Sequence, residues 1–177
     1  MNFITWSIIA AEIGFWIVII LGLTFRYVFN YRKIGTFFLF LTPVIDLFLL
    51  IVTAMDLLKG GNATYAHAIA AIYLGVSVAF GKSMIRWADE RFLYYIIKEG
   101  TKPEKKTGFA FARNSLKGSF QHLFAYIIGA GFLSVLIYLV NDPDRSFIFF
   151  ETLKVWALVL GIDFIISISY FIWPRGK

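Results

Sequence analysis

The chain has 177 residues, of which 59% are hydrophobic, 19% aromatic and 16% charged, with a formal net charge of +6 and no cysteine. A soluble domain averages about 45–50% apolar and about a quarter charged residues, so this composition excludes an ordinary water-soluble globule and makes lipid the natural solvent. The missing cysteines exclude a disulfide, a thiolate nucleophile and a thiolate metal site.

A helix that crosses the hydrocarbon needs about 20 apolar residues, and five stretches supply them. The first covers residues 3–25, interrupted only by Glu12. The N-terminus lacks the positive start of a signal peptide, and this apolar run is too long for one, so it is expected to remain as a membrane helix. The second covers 34–58 and carries Asp46 and Asp56. Lys59-Gly60-Gly61-Asn62 then reads as a turn. The third covers 65–85, with His67 near one end and Lys82 near the other. Lys82 is expected to snorkel to the surface.

Residues 87–119 form the one sizeable loop. Ala88 to Lys98 either prolongs the third helix or lies along the membrane, and Gly100-Thr101-Lys102-Pro103 breaks it. After Gly108, Phe109, Phe111, Leu116 and Phe120 alternate with Arg113 and Lys117. That pattern suits a basic amphipathic stretch resting on anionic headgroups, with a solvated connector as the alternative. Lys105, Lys106, Arg113 and Lys117 are the candidates for headgroup contact. The fourth span covers 120–140, with His122 at its start, expected to be structural. Asn141-Asp142-Pro143-Asp144 is a second turn, and the fifth span covers 147–173 with Glu151, Lys154 and Asp163. The fold class is all-α: one polytopic domain, 1–177, of five transmembrane helices.

Orientation follows from the basic residues. Arg26, Arg32 and Lys33 follow the first span; Arg86, Arg91, Lys98, Lys102, Lys105, Lys106, Arg113 and Lys117 follow the third; Arg175 and Lys177 close the chain. The opposite side has only Lys59 and Arg145. The positive-inside rule puts the first set, and the C-terminus, in the cytoplasm. Five spans then place the N-terminus outside. The same rule accounts for the net charge, so no nucleic-acid partner is expected. Trp6, Trp87 and Trp173 fall near span ends, where indole suits the interface.

Ionisable groups at hydrocarbon depth are costly and by default face a bundle interior or a wet cavity. At about 100° per residue, Thr42, Asp46, Thr53 and Asp56 fall within about 80° on the second span. Trp156, Asp163, Ser167 and Tyr170 share about 60° of the fifth. Glu12, Asp46 and Asp163 are the candidate buried proton- or cation-binding groups, with Asp56 and Glu151 at an outer entrance. Glu151 and Lys154, three residues apart, are placed to pair with each other. Interhelical hydrogen bonding is the competing explanation for the polar groups. Small residues point to spans three and four as central to packing: Gly75 with Ala79, Ser77 with Gly81, and Gly129-Ala130-Gly131. Ile45-Asp46 and Ile162-Asp163 echo each other in antiparallel spans, which allows an inverted repeat around span three.

Two histidines at opposite membrane faces make no metal-ligand set, so no metal or cofactor is expected. No phosphate-binding loop, zinc-protease helix or nucleophile elbow occurs. Asp89-Glu90-Arg91 reads as a solvated helix end.

Trp87, Glu90-Arg91-Phe92, Gly100, Lys102-Pro103 and Gly108 together resemble the loop of small uncharacterised bacterial membrane proteins of the YmcC type. The resemblance implies a bacterial plasma membrane and brings no activity with it. The leading functional expectation is a small transporter, channel or ligand-binding protein handling a proton, cation or small solute. A non-catalytic scaffold or partner subunit acting through the basic loop is the alternative, and an intramembrane lipid-modifying enzyme the third. The lipid bilayer is the one certain partner, and homo-oligomerisation is left open.

Overall fold

A computed structural model describes residues 3–98, 102 and 106–174, without the side chains of 3–5, 7, 8, 12, 96 and 97. The described chain is helical throughout: α1 (Phe3–Tyr27), α2 (Arg32–Leu58), α3 (Tyr65–Phe92) continued by a π-helical turn (Leu93–Ile97), α4 (Gly108–Val140) and α5 (Pro143–Ile172). All five helices are long and apolar enough to cross a membrane. At 1.5 Å per residue the 33 residues of α4 extend about 50 Å, well beyond a hydrocarbon layer of about 30 Å. The supposed loop is therefore largely helix: α3 runs on to Phe92, and α4 begins twelve residues before Phe120. Trp6, Trp87 and Trp173 are all exposed.

The turns follow their local chemistry. Asn141 takes a left-handed conformation (φ 47°) and ends α4. Asp142 then caps α5, its carboxylate accepting from the amides of Asp144 at 3.0 Å and Arg145 at 3.2 Å, while Pro143 occupies the first helical position. Between α2 and α3, Gly60 sits at φ +100°, and Thr64 and His67 form a reciprocal cap at the start of α3.

The helices pack mainly in chain order, α1 on α2, α2 on α3, α3 on α4 and α4 on α5, with lighter α3–α5 and α2–α4 contacts. They form a row with α1 and α5 at its ends. Two glycine crossings draw neighbours together. A Cβ on Gly35 would lie 2.6 Å from the Gly22 carbonyl oxygen, and one on Gly75 would lie 3.2 Å from the Gly129 amide nitrogen. α3 and α4 are central, as the small residues suggest, but Gly81 and Gly131 face open space and take no part.

The main core lies toward the end that holds the α2–α3 and α4–α5 turns. Phe149 of α5 is fully buried there among Leu57, Ala68, Ala71, Leu133 and Leu136. Arg145 seals it, donating to the Leu57 carbonyl at 2.6 Å, while its own carbonyl accepts from the Ala63 amide at 2.9 Å. A smaller cluster of Ala11, Leu49 and Ala70 ties α1 to α2 and α3.

Candidate functional site

The polar stripe of α2 faces α3. Asp46 is 1% exposed, and Ser77 of α3 donates its hydroxyl proton to Asp46 Oδ2 at 2.8 Å. Thr53 is buried on the same face. Asp56 lies 3.9 Å from His67 Nε2, beside the turn. Thr42 turns back on its own helix and donates to the Leu39 carbonyl at 2.9 Å.

The polar stripe of α5 faces α4. Asp163 Oδ2 lies 3.0 Å from His122 Nδ1. One turn toward the basic end, the Ser119 and Ser167 hydroxyls are 2.7 Å apart, and Ser115 lies 2.9 Å from Ser167. Tyr170 meets the edge of Phe111, and Trp156 packs against Tyr126 and over Gly129. Unlike buried Asp46, this seam is partly open, with the His122 and Asp163 side chains 50% and 32% exposed.

The structure therefore ties Asp46 to α3 and Asp163 to α4, and does not converge them on one interior. The cause is which helix each polar face meets: α2 turns its stripe to α3, and α5 turns its own to α4. The Ile-Asp echo is likewise not structurally equivalent, since Asp46 bonds to the central helix and Asp163 to its own hairpin partner. Glu151 accepts from Lys154 Nζ at 2.8 Å, an (i, i+3) pair along α5. The Glu12 side chain and Lys105 lie outside the described residues. Lys106 donates to Asn114 at 2.7 Å, while Arg113 and Lys117 stand exposed on the first turns of α4.

Hollows also lie among the described residues, away from the two acids. An apolar lateral groove of about 500 Å³ lies between α1 and α2, lined by Ala10, Ala11, Gly14, Val44, Ile45 and Phe48. A smaller one, about 70 Å³, lies at the basic end among the ends of α1 and α3 and the start of α2. Neither is lined by Asp46 or Asp163. Among the described residues, no three His, Asp or Glu side chains are grouped to hold a metal.

Over its whole length the chain is 53% identical to a Bacillus subtilis protein described as uncharacterized membrane protein YmcC, covering 96% of that relative. The chain belongs to the YmcC family of membrane proteins. No family model matches it, and no solved structure matches it.

In this YmcC-family chain, sequence reasoning missed two groupings. Ser115, Ser119 and His122 share about 60° of α4, a periodic signal that could have been matched to Asp163 and Ser167. The second carried no local signal. Asp89, read as a solvated helix end, accepts from Arg26 Nε at 2.7 Å and again from Arg26 Nη2, and the Tyr27 hydroxyl donates to it at 2.8 Å. The Tyr27 ring stacks on Phe92 with centroids 4.0 Å apart. This cluster latches the end of α1 to the end of α3. Arg91, two residues on, instead lies 4.0 Å over the Trp87 ring.

Proposed function

We propose that the protein is a non-catalytic membrane scaffold or partner subunit of the bacterial plasma membrane, acting through its basic end. One observation carries this reading. The polar side chains on the helix seams are taken up by adjoining helices: Asp46 with Ser77, Asp163 with His122, Gln121 with Ser83, Ser119 with Ser167. Among the described residues no buried side-chain nitrogen or oxygen lacks a partner. Groups so consumed hold helices together.

The same reading places the N-terminus outside and the C-terminus in the cytoplasm. Its support is the charge asymmetry between the two ends. Arg145, on the poorly charged side, is folded onto the carbonyls that end α2. Because the chain has no cysteine, single cysteines at Asn62 and Lys106 report orientation cleanly. An impermeant maleimide added to intact cells is expected to label the first and spare the second; the reverse pattern overturns the topology.

A second reading, a proton- or cation-handling carrier, is favoured by the half-open His122–Asp163 pair. Proteoliposomes separate the two. The scaffold reading expects no proton or cation flux above empty vesicles, an Asp46→Asn protein that behaves as wild type, and function lost on charge reversal at Lys105, Lys106, Arg113 and Lys117. Flux that Asp46→Asn abolishes would establish the carrier.

A further inference from the structure

His122 stands where three helices meet. Its ring packs on Phe80 of α3, with centroids 4.8 Å apart, and its Nδ1 lies 3.0 Å from Asp163 Oδ2 on α5. Farther along the same face of α4, Leu133 is fully buried in the core that Phe149 of α5 shares with Ala71 of α3. His122 touches the same two neighbours, yet half of its side chain is exposed. One helical turn away on that face, a Cβ on Gly118 would meet nothing within 4 Å. Toward the basic end, α3 and α5 therefore leave a recess over α4, with Gly118 and His122 on its floor.

The two ring nitrogens are not equivalent. Nδ1 is taken up by the Asp163 carboxylate, and Nε2 has no partner among the described residues. When the ring is neutral and Nδ1 donates to a carboxylate, Nε2 is an acceptor; when the ring is charged, Nε2 is a donor. A hydroxyl suits both states, donating to the first and accepting from the second, whereas a carboxylate or an ammonium suits only one. A hydroxyl is also uncharged, which matters at this depth. Asp163 lies about 14 Å along α5 from its last residue, Ile172, in a helix apolar enough to cross the bilayer, where ions are costly. The rim of the recess is apolar. Met84, one turn from Phe80, and Val159, one turn from Asp163, are both exposed.

We propose that this recess binds a lipid alcohol, an uncharged lipid with a free hydroxyl of the diacylglycerol kind, with His122 Nε2 as its polar contact. Asp163 is a positioning residue that fixes which nitrogen faces the ligand. Met84 and Val159 flank the apolar body. Such binding is independent of the scaffold reading, whose own tests are flux and charge reversal at the basic end.

The test uses the purified full chain in an uncharged detergent. Melting temperature is followed during titration with dioctanoylglycerol, with the same lipid acetylated at its hydroxyl, and with glycerol at matched concentration. Dioctanoylglycerol is expected to raise the melting temperature saturably. The acetylated lipid keeps the apolar body and loses the O–H, glycerol keeps hydroxyls and has no apolar body, and both are expected to leave it unchanged. His122→Ala is expected to weaken binding about tenfold, equivalent to about 1.4 kcal/mol. Gly118→Leu fills the recess from its open floor and is expected to fold and to lose binding. Gly131→Leu also enters open space, on the opposite face of α4, and is expected to bind as wild type. The proposal is overturned if dioctanoylglycerol does not shift wild type, if the acetylated lipid or glycerol does as well, if a folded His122→Ala protein binds as wild type, or if Gly131→Leu loses as much as Gly118→Leu. The wild-type titrations decide even if a variant fails to fold.

Discussion

Asp46 and Asp163 each follow an isoleucine, each sit on a polar stripe of a long apolar helix, and end in different surroundings. Asp46 lies inside the row on α2, closed over by neighbours, with one hydroxyl as its partner. Asp163 lies on α5 at the end of the row, beside a half-exposed histidine and a run of serines. What separates them is the place of the helix in the row. An inner helix can bury a polar face completely, whereas α5, with α4 as its main neighbour, shares its polar face between protein and surroundings.

The strongest test removes the crossing that holds the two seams together. Gly75→Leu puts a side chain where even a Cβ meets the α4 backbone, and is expected to abolish the folded monomer in mild detergent, read by size exclusion. Gly81→Leu enters open space and should elute as wild type. A Gly75→Leu protein that folds normally would show that α3 and α4 do not cross there.

The two acids are next. Asp46→Ala removes the partner of Ser77 at a closed site and is expected to cost about 1–2 kcal/mol in mixed-micelle unfolding. Asp163→Ala, at the half-open site, is expected to cost about 0.6 kcal/mol, the average for an interhelical hydrogen bond. An equal or larger loss at Asp163 would erase the distinction between inner and end helices.

The serines come level with Asp163. Ser119→Ala and Ser167→Ala should each cost about 0.6 kcal/mol. The double variant should lose less than the sum, since the two hydroxyls share one hydrogen bond. Strict additivity would mean that the seam is not a connected network. Least of all is Glu151→Gln, expected to change stability by no more than about 0.5 kcal/mol, as for an exposed pair on one helix.

Much of this was legible beforehand where the interaction is local. The Glu151–Lys154 pair follows from helical spacing, and the cap at Asp142 from an Asn-Asp-Pro-Asp turn. The stripes on α2 and α5 face neighbouring helices as periodicity requires. His122 went unrecognised because its partner is contributed by the next helix. Arg26 and Asp89 are 63 residues apart, and neither carries a local sign of the other.

By itself the sequence determined the five spans, their order, the positions of the turns and the polar face of each helix. Those depend on hydrophobic length and on a period of about 3.6 residues, both written along the chain. Only the tertiary structure decided which helix each face meets, that α5 closes one end of the row, and that Arg26 takes Asp89. In lipid, one apolar helix surface is as well solvated as another, so hydrophobicity does not choose neighbours. The choice falls to close backbone crossings, as at Gly22 with Gly35 and Gly75 with Gly129, and to a few hydrogen bonds that exist only once the helices are side by side.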